Sequence, residues 1–211
     1  MNRSGAVVIM GLLALPIAAA LPTAAASSAL LDRMAVVDVH LQTFTASLHA
    51  HVAMRSFPFL TADLQGTYYY KRPDKNKVDF TSGVPMIAQQ FDNLYAHIEP
   101  PARWSTLYVV SVVSDDGTTT AYRLVPRKHG NVSSIDATAD DRSATVTTMR
   151  WNYVNGGSAE MTDRYGHVGG YLVVVSQTGY VHEPGYVAEI GTTIDDYRFN
   201  QNLPDAIFAG S

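Results

Sequence analysis

The chain has 211 residues, 46% of them hydrophobic and 16% charged, which is the composition of a folded domain with an apolar core. Its formal net charge is −4 and its 15 Lys and Arg form no long run. We therefore expect no nucleic-acid partner, because binding phosphates requires a basic surface. The absence of cysteine excludes disulfides, thiolate metal ligands and a lipidated cysteine in this chain.

Residues 1–26 have the pattern of a secretory signal peptide. Arg3 provides the positive start, residues 6–21 are apolar, and three alanines precede Ser27 as a cleavage site. The alternative is a permanent membrane anchor, but spanning takes about 20 apolar residues and Pro16 interrupts this run. The sequence thus predicts cleavage, a periplasmic or secreted location, and a single mature domain over residues 27–211.

Helical spacing marks the start of this mature domain. We predict a helix over residues 28–42, in which serines cap the first turn and apolar residues recur along one face. That face consists of Leu30, Leu31, Met34, Val37 and Leu41. From Phe44 the period changes to two, which predicts a strand over residues 43–55 with one apolar face.

The stretch over residues 64–80 predicts a hairpin. Residues 67–71 form a strand, Arg72 and Pro73 follow, residues 74–77 form a polar turn, and a return strand starts at Val78. Next, residues 84–98 have an apolar side at helical spacing, so we expect a second helix that ends at Pro100 and Pro101.

The remainder predicts successive strands joined by polar turns, with a less regular tail over residues 195–208. The predicted strands cover residues 105–114, 118–126, 131–136, 143–152, 158–165, 171–176 and 187–193. Helices followed by many hairpin-linked strands indicate an α+β fold. We expect a curved antiparallel sheet, an unclosed β-barrel, with the helices covering its concave hydrophobic face.

The hairpin resembles the periplasmic lipoprotein-carrier family, the LolA-like proteins of the lipoprotein-sorting superfamily. The first block of resemblance comprises the helix 28–42, the strand 43–55, Gly66, Tyr68, Tyr69, Tyr70, Lys71, Arg72 and Pro73. The second block lies near the end of the chain and comprises Tyr197, Asn200, Leu203, Pro204 and Phe208. Residues 86–101 depart from the family pattern as a helical insertion.

The resemblance implies a hydrophobic cavity under a helical lid. It implies that Arg72 acts as a latch that donates hydrogen bonds to backbone carbonyls of the lid; the alternative is a solvated arginine in a turn. The expected cavity-lining residues are Phe44, Leu48, Val52, Met54, Tyr69, Phe80, Met86, Phe91, Leu94 and Trp104. The alternative is that these side chains simply fill a core, as most apolar residues do.

Other chemistry has weaker support in the sequence. His49 and His51 point to the same face of a strand and have the spacing of zinc or copper ligands. They lack an evident third ligand, so we predict no metal and no cofactor. The chain contains no nucleophile elbow, no zinc-protease motif and no phosphate-binding glycine loop. We therefore expect a binding protein, and not an enzyme.

The leading hypothesis is an exported carrier that holds lipid or the acyl chains of an acylated protein, with only transient membrane contact. The alternative is an envelope sensing or docking module of the same fold, which binds a protein partner and carries no lipid. An enzyme with a catalytic group assembled from distant residues ranks third, because such sites are spatial and not sequential.

Overall fold

The computed structural model describes residues 24–57, 59–81 and 99–209. Two helices, α1 (Ala24–Val36) and α2 (Pro101–Leu107), accompany a short 3₁₀-helix at Asp205–Phe208. The strands are β1 (Thr43–Met54), β2 (Thr61–Lys71), β3 (Lys75–Phe80), β4 (Tyr108–Asp115), β5 (Thr119–Pro126), β6 (Val132–Asp140), β7 (Thr145–Tyr153), β8 (Ser158–Val168), β9 (Tyr171–Glu183) and β10 (Tyr186–Phe199).

All ten strands belong to one antiparallel sheet with the order β3-β2-β1-β10-β9-β8-β7-β6-β5-β4. Strands β3 and β4 end this order, and in the described part of the chain they do not pair with each other. The sheet is therefore unclosed. This confirms the predicted α+β fold with an unclosed antiparallel sheet.

Alternation along β1 decides which residues enter the core. Leu48, Val52 and Met54 are buried on the inner face, whereas His49 and His51 are exposed on the outer face. The helices cover the inner face with a few large apolar side chains. α1 contributes Leu30 and Met34, and α2 contributes Trp104.

The two segments that carry the family resemblance meet at one corner of the fold. Lys71 donates hydrogen bonds to the Leu203 carbonyl at 2.9 Å and to the Asp205 carboxylate at 2.6 Å. The Asn200 side chain accepts from the Gln42 amide at 2.8 Å, which joins the end of the chain to the start of β1. Residues far apart in sequence thus hold the junction between α1 and the sheet.

The backbone of the neighbouring strand leaves no room for a side chain at Gly66, the glycine of the first segment. A Cβ atom at Gly66 would lie 2.7 Å from the backbone oxygen of Asp79 on the neighbouring strand β3. A side chain at this position would force the β2–β3 pair apart. Gly66 therefore allows the hairpin to form with its observed register.

The first helix is shorter than predicted. It ends at Val36, and Asp38 has a φ of 48°, which turns the chain out of the helix. The Asp38 carboxylate accepts a hydrogen bond from the Leu172 amide at 2.9 Å and so fixes this turn to β9. A contact 134 residues away in sequence was not visible in the helical pattern.

The prolines at 100 and 101 begin a helix, whereas the sequence predicted only that they end one, over residues that lie outside the described part of the chain. Pro100 is the N-cap residue and Pro101 opens α2, a position that proline favours because its missing N–H has no helical partner there. The predicted strand started at residue 105. Because α2 occupies residues 101–107, strand β4 starts at Tyr108 instead. Trp104 lies on this helix.

The tail is more regular than predicted, because β10 continues to Phe199. A bulge makes this possible: the β1–β10 register shifts between Thr45 and Ser47, and Asp196 has a φ of 51°. Strand β10 thereby continues to pair with β1 beyond Asp195 and Asp196. β9 likewise continues past Ser176, since both β8 and β10 supply partners.

Two predicted segments lie outside the described residues: the second helix over residues 84–98 and residues 1–23 of the signal peptide. α1 begins at Ala24, so the predicted cleavage before Ser27 falls within this helix. None of the helices in the described ranges is both long and apolar enough to cross a membrane.

Candidate functional site

A cleft of about 320 Å³ lies between α1, α2 and the inner face of β7 and β8. Its lining combines thioether, aromatic and aliphatic side chains with a few charged ones. The lining includes Met34, Val37, Tyr70, Arg72, Arg103, Trp104, Met149, Met161, Asp163 and Tyr165. Its size and mixed lining are those of a small-molecule site.

A smaller crevice of about 180 Å³ lies at the C-terminal end of α1. Its wall is aromatic: the ring of Phe44 lies 5.2 Å from Tyr68, 5.1 Å from Tyr70 and 5.2 Å from Tyr197, measured between centroids. Val37, Tyr70 and Arg72 line both the crevice and the cleft. These three side chains therefore lie at the boundary between the two spaces.

Arg72 connects β2 to the turn that follows α1. Its guanidinium donates to the Val37 carbonyl at 3.2 Å and to the Val39 carbonyl at 3.5 Å. Carbonyls at a helix end lack intrahelical partners, so a guanidinium with several donors can satisfy them. Both bonds are long, and Arg72 is partly exposed, so the attachment is polar and weak.

A second arginine holds the last turn of α1. Arg33 donates to the carbonyls of Asp141 and, at 3.2 Å, of Arg142, both in the turn between β6 and β7. This contact is also exposed to solvent. The polar attachments of α1 and of the turn after it are thus arginine bonds to neutral backbone oxygens at the rim of the sheet, together with the bond from the Leu172 amide to Asp38.

Below the cleft the concave face carries two polar side chains, Asp163 on β8 and Gln177 on β9. They are direct cross-strand neighbours, and Gln177 Nε2 donates to Asp163 Oδ1 at 2.7 Å. Burial raises the pKa of Asp163 to about 6, against the opposing effect of the Gln177 hydrogen bond. Burial also raises the pKa of Tyr165 and of Tyr197, and the charge of Asp163 adds to both shifts.

The predicted lining residues fall into separate groups. Phe44 lines the crevice and Trp104 lines the cleft. Leu48, Val52 and Met54 are buried in the core and line neither space. Met86, Phe91 and Leu94 lie outside the described residues.

Tyr69 and Phe80 occupy different faces of the sheet. Tyr69 pairs with Thr45, and this register places it opposite to Phe44, on the convex face. The inward tyrosines are its neighbours Tyr68 and Tyr70, which were not among the predicted lining residues. Phe80 faces inward and packs against the main core.

Several lining residues had no distinguishing signal in the sequence. Met149 and Met161 are cross-strand neighbours on the inner face of β7 and β8, a pairing that only the register reveals. Asp163 belongs to a strand with polar residues on both faces, so only the pairing of β8 with its neighbours shows that it faces inward. Alternation from Phe44 would have identified Tyr70 had the β1–β2 register been known.

The two histidines remain separate from this site. His49 and His51 are exposed on the convex face, and His51 Nδ1 lies 2.6 Å from Asp63 Oδ1. Among the described residues no group of three His, Cys, Asp or Glu side chains has the geometry to hold a metal ion.

Three solved structures resemble this fold over most of its length. A DUF1329 family protein from Desulfovibrio piger has a TM-score of 0.63 at 13% identity, over 88% of this chain and 97% of that protein. A domain from Vibrio parahaemolyticus, classed with outer-membrane lipoprotein-sorting proteins, has a TM-score of 0.64 at 10% identity, over 87% and 97%. A LolA superfamily protein from Nitrosomonas europaea has a TM-score of 0.56 at 9% identity, over 86% and 96%.

The fold is LolA-like. This agrees with the resemblance found in the sequence, which rests on short segments. No protein-family model matches the chain, and neither does any curated protein sequence. At 9 to 13% identity the likeness concerns the fold, so function must be argued from the chemistry of the cleft.

Proposed function

We propose that this protein is an exported carrier that holds lipid, or the acyl chains of an acylated protein, beneath α1. The proposal rests on the position of Arg72 between the apolar crevice and the cleft. Its bonds to Val37 and Val39 close the boundary between the apolar crevice and the cleft. Release of this latch joins the two spaces into one site for an elongated apolar ligand.

The energetics suit reversible binding. Exposing an acyl chain to water costs about 0.8 kcal/mol per CH₂ group, so a carrier must offer an apolar surface of similar extent. Two hydrogen bonds to neutral carbonyls contribute about 1 kcal/mol each. A ligand that buries a few methylene groups can therefore offset the loss of the latch.

The lining suits a variable ligand. Met34, Met149 and Met161 line the cleft, and methionine adapts its shape to different apolar partners. The aromatic wall of the crevice supplies large rigid apolar surfaces on the other side of Arg72. Membrane contact in this proposal is transient, and the exported location follows from the signal-peptide pattern.

The test is native mass spectrometry of the mature protein purified from its export compartment, followed by organic extraction. We expect a co-purifying lipid or acylated peptide. A Met161→Trp variant, which fills the cleft, should lose it, while a Val125→Trp variant on the exposed convex face should keep it. A clean apo mass without uptake of added phospholipid or lipopeptide contradicts the carrier function.

One observation favours the second candidate, a docking module that carries no lipid. Trp104 and Tyr122 are 1% and 0% exposed, and their rings pack 6.0 Å apart under α2. Side chains of the protein thus already fill this part of the concave face. The apo outcome of the same experiment would support this candidate and direct attention to the sheet surface.

A further inference from the structure

The cleft ends on a polar pair within an otherwise apolar surface. Asp163 lines the cleft, and Gln177 lies beside it on the concave face, where only 7% of its surface is exposed. Met161 on β8 and Val181 on β9 also face inward, and both are apolar. The pairing of these two strands therefore does not require polar side chains on the inner face. Buried polar groups cost stability unless they find partners.

Hydrogen bonding within this pair is incomplete. Gln177 Nε2 donates to Asp163 Oδ1, which fixes the orientation of the amide, because two oxygens at 2.7 Å would repel each other. Gln177 Oε1 is then buried without a partner in the described part of the chain. No described residue donates to Asp163 Oδ2 either, and no basic side chain there forms an ion pair with it.

The two tyrosine hydroxyls next to the pair do not supply the missing protons. Tyr165 donates to the Val146 carbonyl at 2.9 Å, and Tyr197 donates to the Val174 carbonyl. Each hydroxyl has a single proton, which these bonds use. The pair thus presents two acceptor oxygens beside tyrosine donors that are already occupied.

We propose that Asp163 and Gln177 recognise an N–H donor, an ammonium or an amide, attached to the apolar chain of the bound ligand. The inference rests on the proposed function and adds a chemical class to it. The apolar part would lie along the methionine and aromatic lining, with the N–H group at Oδ2 and Oε1. A ligand whose polar group only accepts hydrogen bonds would leave both oxygens unsatisfied.

The expected discrimination is large enough to measure. A hydrogen bond to a charged acceptor contributes more than one between neutral groups, and an unsatisfied buried acceptor bears the full cost of desolvation. We therefore expect an N–H donor to bind at least about tenfold more tightly than an acceptor-only molecule with the same chain.

The experiment uses three probes of equal chain length with the delipidated mature protein near neutral pH. Dodecylamine presents an ammonium, dodecanamide a neutral N–H donor, and methyl dodecanoate acceptors only. Their dissociation constants are measured by titration calorimetry. The wild-type series alone tests the inference, so it does not depend on whether any variant folds.

Two variants locate the preference. Asp163→Asn replaces the Oδ2 acceptor by an NH₂ donor without changing the shape, and should abolish the preference for both nitrogen probes. Asp195→Asn removes the same charge from an exposed site on β10, and should leave the preference unchanged. A selective loss in the first variant supports the proposed site.

The outcomes separate this inference from the proposed function. Equal affinity for all three probes, or a preference that survives Asp163→Asn, overturns the recognition site while leaving a carrier intact. Absence of binding by every probe overturns the carrier function and the site with it.

Discussion

The two helices are attached to the same concave sheet by different chemistry. α2 inserts Trp104, which is buried against Tyr122 and whose Nε1 donates to the Glu99 carbonyl at 2.9 Å. α1 packs Leu30 and Met34 on the core, but its polar attachments are arginine bonds to exposed or part-buried backbone oxygens and, in the turn that follows, the Leu172–Asp38 bond.

The difference indicates which helix can move. A buried indole must be exposed to water before α2 separates, at a cost of several kcal/mol. Water can replace the carbonyl bonds of Arg72 with little loss, because these bonds lie at a partly exposed rim. We therefore expect α1 to open as a lid while α2 stays in place, provided that a bound apolar ligand covers the surface that Leu30 and Met34 leave.

Replacement of Trp104, the buried side chain that holds α2 on the sheet, should have the largest effect on stability. Trp104→Ala removes a fully buried side chain, so we expect a loss of about 3–5 kcal/mol in the free energy of unfolding, measured with urea. Val113→Ala, at a valine that is 60% exposed, serves as the control and should change little. A loss below about 1 kcal/mol at Trp104 would remove the distinction between the helices.

The second prediction concerns the floor of the cleft near α1. Burial raises the pKa of Asp163 from 3.8 to about 6, so the folded protein binds this proton more tightly than the unfolded chain does. The protonated carboxyl is the form that burial tolerates, so its full contribution to the free energy of unfolding is present below about pH 4. This contribution is lost as the pH rises to about 6 and the carboxyl ionises.

Asp163→Asn stays neutral throughout this range. We expect it to be about 3 kcal/mol more stable than the wild type at neutral pH and similar to it near pH 4, by urea unfolding. Asp195→Asn, on the convex face, should leave the pH dependence as it is in the wild type. Parallel stability curves for Asp163→Asn and the wild type would show that this carboxyl is not strained by burial.

The third prediction tests the latch directly. Arg72→Leu removes both carbonyl bonds, which should cost about 1–2 kcal/mol in global stability. Amide hydrogen exchange over residues 29–41 should speed up by about tenfold, whereas exchange in α2 should not change. Equal acceleration in both helices would mean that they open as one unit.

The smallest effect is expected for an arginine outside the lid. Arg55 pairs with Glu189 on the sheet surface, and both side chains are exposed. Arg55→Gln should change neither the stability nor the exchange of α1 measurably, since exposed ion pairs contribute little. Faster exchange in α1 for this variant would show that the Arg72 result reflects a general loss of positive charge.

Local patterns in the sequence were enough to predict the main elements. The change from helical spacing to alternation located α1 and β1, and turn residues such as the Asp-Asp-Gly segment located the β4–β5 hairpin. Arg72 could be named because it lies within a short segment that resembles a family, and the structure places it beside the carbonyls at the end of α1.

The tertiary structure decided what local patterns could not. The register of β1 with β2 turned Tyr68 and Tyr70 inward and Tyr69 outward, since a shift of one residue reverses the face of every side chain. The bulge near Asp196 kept β10 in the sheet. Asp163 and Gln177 became a pair only when β8 and β9 came together. Pairing and burial depend on contacts between distant residues, whereas periodicity records only the preferences of neighbouring ones.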